Sequence, residues 1–80
     1  MTAERRWFVV FGFGSVHETL AAEDALKLAG VPATTIPSPR ALGELCGIAL
    51  RVEPDDAEMA ADALSAADAL PRARVDMSDI

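Results

Sequence analysis

Eighty residues are enough for one two-layer core and no more, so residues 1–80 are expected to form a single domain with a structured core over about 6–77. An apolar share of 51% and a charged share of 25% match a folded protein and exclude the polar, highly charged class of disordered chains. Seven basic against thirteen acidic residues give a net charge of −6, which speaks against a nucleic-acid partner because the phosphate backbone would be repelled.

In chain order, the run from Arg6 to Phe13 is dense in aromatic and β-branched residues, and its continuous apolarity predicts a central first strand covered on both sides. Gly12, Gly14 and Ser15 end it. Ser15 and Glu18 have the spacing of a capping box, so a first helix is predicted from here to about Ala29. Its apolar stripe is read as Val16, Leu20, Ala22, Leu26 and Ala29, with Glu23, Asp24 and Lys27 on the wetter side, and Gly30 with Pro32 supplies the stop.

Val31 to Ile36 predicts a short second strand, placed at the sheet edge because Pro32 has no N–H to donate. Two prolines and two glycines then make Pro37 to Gly47 the longest loop, with room for one helical turn over Leu42 to Leu45. Gly47 to Val52 is a third strand, and Glu53-Pro54-Asp55-Asp56 starts a second helix, with Pro in the first turn and carboxylates at the positive end of the dipole. Ala57, Ala60, Ala61, Leu64 and Ala67 form its inner stripe, Pro71 closes it, and Arg72 to Met77 alternates as a half-exposed final strand. The β-α-β, β-α-β order predicts an α+β fold: a ferredoxin-like βαββαβ two-layer sandwich with a four-stranded antiparallel sheet, strands one and three central, and two helices on one face.

Few residues offer chemistry. One cysteine cannot close an intramolecular disulfide, and a basic-then-apolar leader or a long apolar run is lacking, so the expected setting is the reducing cytoplasm with no membrane partner. Cys46 and His17 are too few for a structural zinc site, and neither a metal nor a cofactor is expected. The G-F-G-S turn at residues 12–15 has the start of a phosphate-binding loop without its third glycine and reads as a turn. His17 reads as a solvent-facing residue of the first helical turn, and the acids Glu53, Asp55, Asp56, Glu58 and Asp62 as a solvated face matched to the dipole.

Cys46 is the sharpest position. It lies in a loop, is followed by Gly47 whose missing side chain leaves access to sulfur, and has Arg40 near enough along the chain to favour the thiolate. A loop thiol beside a cation suits sulfur transfer, since the thiolate is the attacking species.

The segment P-R-A-L-G-E-L-C-G-I-A-L-R, Pro39 to Arg51, resembles the P-R-x(5)-C-G stretch of the putative selenium/sulfur carrier protein-like family. An aromatic first strand at Val9 to Phe11, the cap Ser15, the helix from Thr19-Leu20 through Glu23 to Leu26, and the Gly30-Val31-Pro32 step extend the resemblance over nearly all of residues 7 to 52. Thr19 stands where the family usually has Ala. The resemblance implies a carrier rather than an independent catalyst, whose Cys46 holds a persulfide or perselenide passed between donor and acceptor proteins, with Arg40 beside the sulfur. The rival expectation is a ferredoxin-like regulatory or interaction module in which Cys46 is structural. Homodimerisation through the edge of strand two is left open.

Overall fold

The computed structural model describes residues 7–43 and 47–78. Six principal elements run in the order β1 (Trp7–Gly12), α1 (Val16–Leu28), β2 (Thr34–Pro37), β3 (Ile48–Val52), α2 (Ala57–Ala66) and β4 (Ala73–Ser78). Short 3-10 turns at Arg40–Leu42 and Pro54–Asp56 precede β3 and α2. The protein is α+β, with one antiparallel sheet in the order β2-β3-β1-β4, so β1 and β3 are central.

The continuous apolarity of β1 serves two cores. Val9 and Phe11 face the helices and join Leu50 and Val52 of β3 with Ala22 and Leu26 of α1 and Ala57, Ala60 and Leu64 of α2. Both helices therefore pack on one side of the sheet. Val10 faces the other way and is buried with Ala49 beneath Leu42, while Ile36, Ala73, Val75 and Met77 border this second cluster. Each fully buried Leu or Val contributes about 1.5–3 kcal/mol relative to exposure, so the helix-side cluster, with most of the large side chains, dominates stability.

The inner stripe of α1 differs from the predicted one. Thr19, Ala22 and Leu26 are its buried residues, whereas Val16, Leu20 and Ala29 are exposed and Leu28 is 90% exposed. The cause is Thr19: its Oγ1 donates to the Ser15 carbonyl at 2.9 Å, so the hydroxyl enters the core with a partner and the buried stripe turns away from Leu20. The capping box is half formed. Ser15 Oγ accepts the Glu18 N–H at 3.1 Å, but the Glu18 carboxylate turns to Ser15 Oγ at 3.3 Å and to Arg72 Nε at 3.6 Å.

Both helices end in the same six-residue lock. After α1, the Val31 N–H donates to the Leu26 carbonyl and the Gly30 N–H to that of Lys27, with Gly30 at φ +77° and Val31 packed in the same core cluster as Leu26. This accounts for the later start of β2, at Thr34 instead of Val31: Val31 is committed to the end of α1. After α2, Ala69 N–H donates to Leu64 and Asp68 N–H to Ser65, so the left-handed position falls on Asp68 at φ 55°. The helix accordingly stops at Ala66, before Pro71, and Ala67 of the predicted stripe is exposed. Asp68→Gly is expected to stabilise the protein by about 1 kcal/mol, because glycine tolerates this backbone and a carboxylate at a helix C-terminus opposes the dipole. A midpoint in urea that rises with unchanged slope is the result to look for; an unchanged or lower midpoint would contradict it.

The other strand boundaries move by one residue, and α2 starts at Ala57 after the Pro54–Asp56 3-10 turn. β3 begins at Ile48, and β4 spans Ala73–Ser78 with Arg74 and Asp76 exposed and Val75 half-buried. None of the described helices is long and apolar enough to cross a membrane.

Candidate functional site

The segment between β2 and β3 is built from its ends inward. Pro39 precedes the 3-10 turn, and its carbonyl accepts the Leu42 N–H at 3.1 Å, while the Arg40 carbonyl accepts the Gly43 N–H at 2.9 Å. Gly43, at φ 77° and ψ −159°, occupies a conformation essentially restricted to glycine and turns the chain out of the helical path. Across the loop, the Ser38 N–H donates to the Gly47 carbonyl at 3.0 Å. The segment is therefore a closed loop tied at its base, and Leu42, 6% exposed, anchors it over Val10 and Ala49 on the sheet face opposite the helices.

Of the predicted site residues, Arg40 opens the 3-10 turn with its side chain exposed, and Gly47 is exposed, with no atom of the described residues other than its chain neighbours within 4 Å of where a Cβ would stand. Cys46 lies outside the described residues, as do Glu44 and Leu45, so part of the predicted helical turn over Leu42 to Leu45 does too; the observed turn sits earlier, at Arg40–Leu42. Two contributors were missed in the sequence. Ser38 Oγ is buried at the base of the loop without a hydrogen-bond partner among the described residues, and Gly43 supplies the turn that ends its helical part. A serine between two prolines and a glycine within a loop were the available signals, and neither carries its own chemistry. Arg51, the cation that closes the motif, lies on the same sheet face as Leu42, its guanidinium 4.4 Å from the centroid of the Phe8 ring.

The register brings a second group to the same end of the sheet. Gly12 pairs with Ala49, which places the turn at Phe13–Ser15 and the start of α1 at the end where Gly47 enters β3. His17 is exposed there and lines a cleft of about 210 Å³ with Phe13, Glu18, Ala21, Asp68 and Leu70. The phosphate-loop resemblance of this turn has a local explanation. A Cβ on Gly14 would lie 2.9 Å from Glu18 Oε2 and 3.1 Å from Arg72 Nε, so the space beside the glycine is taken by the chain's own ion pair. That pair is surface-exposed and contributes little to stability. Of the five acids read as a solvated face, Asp55, Glu58 and Asp62 are exposed, whereas Glu53 and Asp56 are half-buried. Among the described residues, no three His, Cys, Asp or Glu side chains gather into a metal-binding group.

Fold and loop together define a small α+β protein that presents a tied, glycine-flanked loop over the helix-free side of its sheet. Residues 8–75 match the family model described as "Putative Se/S carrier protein-like", and the chain belongs to that family. Neither the curated proteins nor the solved structures yielded a match.

Proposed function

We propose that this protein carries sulfur or selenium on Cys46, accepting it from a donor protein as a persulfide or perselenide and passing it to an acceptor protein. The family match over residues 8–75, which includes the whole Pro39–Arg51 motif, is the observation that carries this reading. In the sulfur case, the Cys46 thiolate attacks the terminal sulfur of a donor persulfide. The new Sγ–S bond forms as the donor's S–S bond breaks, the donor departs as a thiolate, and there is no net oxidation. Arg40 favours the thiolate through its charge, and Gly47 leaves the approach to sulfur open.

Three features support the reading. Arg40 is exposed on the turn preceding the cysteine, no described residue beyond its chain neighbours crowds Gly47, and the buried Ser38 hydroxyl at the loop base has a proton to donate to an anionic sulfur held in this loop. The strand order β2-β3-β1-β4 and its antiparallel register support a ferredoxin-like split βαβ arrangement as the scaffold. A reducing cytoplasm, where thiols stay free, is the setting this chemistry needs.

The test is the pH dependence of Cys46 alkylation in the folded full chain, followed by mass spectrometry after incubation with a persulfide donor. Reactivity should set in well below the ordinary thiol pKa of about 8.5. One added sulfur should appear on the wild type and none on Cys46→Ser, and Arg40→Gln should move the alkylation profile to higher pH. A thiol that resists alkylation until the protein unfolds would sink the carrier reading and leave the interaction module with a structural Cys46.

A further inference from the structure

The two edges of the sheet are unlike. β2 has only four residues and ends in Pro37, and Pro32 lies just ahead of it, so its outer side is short and lacks a donor where Pro37 stands. β4 has six residues and no proline, and among the described residues nothing pairs with its outer side. Edges of this kind recruit another strand unless something prevents it.

β4 alternates in a particular way. Arg74 and Asp76 are exposed on the helix side, where they pair in register with Phe11 and Val9, while Ala73, Val75 and Met77 are half-buried on the opposite side. Arg74 rests its guanidinium 5.7 Å from the centroid of the Phe11 ring, and among the described residues neither Arg74 nor Asp76 has an ion-pair partner in its own chain.

We propose that β4 pairs antiparallel with β4 of a second copy of this chain about a two-fold axis through Val75, joining two four-stranded sheets into one. In such an isologous pair every contact off the axis is made twice. The register through Val75 sets Arg74 against Asp76 of the second copy and Asp76 against its Arg74, two complementary pairs from one strand. It also sets Val75 against Val75 and Ala73 against Met77, so the apolar layer of the helix-free face continues across the junction.

The same charges reject the neighbouring registers. Residues paired across an antiparallel ladder share a face, so a two-fold pair can slip only in steps that keep Arg74 and Asp76 on the helix side. The nearest slip in one direction opposes Asp76 to Asp76, a like-charge contact. In the other it opposes Arg74 to Arg74 and leaves Asp76 facing Arg72, which lies ahead of β4 with its N–H on the Gly12 carbonyl and its side chain at Glu18. Residues that would discourage a random strand at this edge thus favour a second copy of the chain, paired in the register through Val75.

Sedimentation or light scattering on the full chain should show a dimer that dissociates on dilution and weakens as salt is added. Arg74→Asp and Asp76→Arg should each weaken dimerisation roughly tenfold or more, since two attractive cross-strand pairs become two repulsive ones. Mixing the two variants should restore association, and so should combining both substitutions in one chain, because the complementary pairs return. Both side chains are exposed, so the folded monomer should tolerate the changes, as circular dichroism can verify. A wild-type chain that stays monomeric up to millimolar concentration, a dimer indifferent to both reversals, or a mixture that fails to reassociate would overturn the pairing.

Discussion

Phe11→Ala is expected to lower the unfolding free energy by about 3–5 kcal/mol, the usual cost of removing a fully buried aromatic side chain. Phe11 is 1% exposed, sits on the central strand and pairs in register with Leu50, within the cluster that takes in both helices. Domains of this size have a total stability of roughly 4–12 kcal/mol, at about 0.05–0.15 kcal/mol per residue, so the substitution removes a large part of it. Few other aromatics are available to compensate, since the chain has only three Phe, one Trp and no Tyr. Chemical denaturation measures the effect directly. A midpoint within experimental scatter of the wild type would mean that the helix-side cluster does not hold the fold together.

Leu42→Ala should cost about 2–4 kcal/mol if the cavity persists, and less to the extent that the loop collapses or lifts away. Its distinguishing effect is local. Leu42 is the apolar anchor of the loop, and its contacts are with Val10 and Ala49 on the face that the helices leave uncovered. Without it, the amides of Leu42 and Gly43, bonded to the Pro39 and Arg40 carbonyls, should exchange with solvent faster than those of the β1 core in the same variant. Hydrogen exchange read residue by residue separates this outcome from general weakening. Uniform acceleration across β1 and the loop would show that Leu42 belongs to the global fold and does not anchor a separable loop.

The legible parts of the fold were those where one strong local signal had no competitor. The dense apolar run of β1, the Ser15 cap and the Gly30 stop each placed an element to within a residue or two, and the Pro54 start fell on the 3-10 turn that leads into α2. The inner face of α1 was misread because Thr19 counts as polar in any periodicity, and only its bond to the Ser15 carbonyl shows how it enters the core. The start of β2 was misread for a related reason: Val31 has strand propensity, but the six-residue lock at the end of α1 uses its N–H first. Asp68 gave no warning, because a left-handed backbone at a helix end is usually marked by glycine.

In the site, the motif residues Arg40 and Gly47 could be named from the sequence because their chemistry is visible in the residue type. What tertiary structure adds is the covering of the sheet by Leu42, the tie between Ser38 and Gly47, and the buried hydroxyl of Ser38. None of these has a periodic or compositional signature, since each depends on a segment meeting another across the loop.

The tie between Ser38 and Gly47 bears on how such a protein can diversify. With both ends of the segment held by the sheet, added residues are charged mainly for extra chain freedom, about 0.6 kcal/mol for each doubling of loop length. β2 and β3 would keep their register whatever hangs between them. Apart from the Leu42 anchor, the loop is then an exchangeable cassette, in which recognition of new partners can be tried by changing a few residues at little risk to the scaffold beneath.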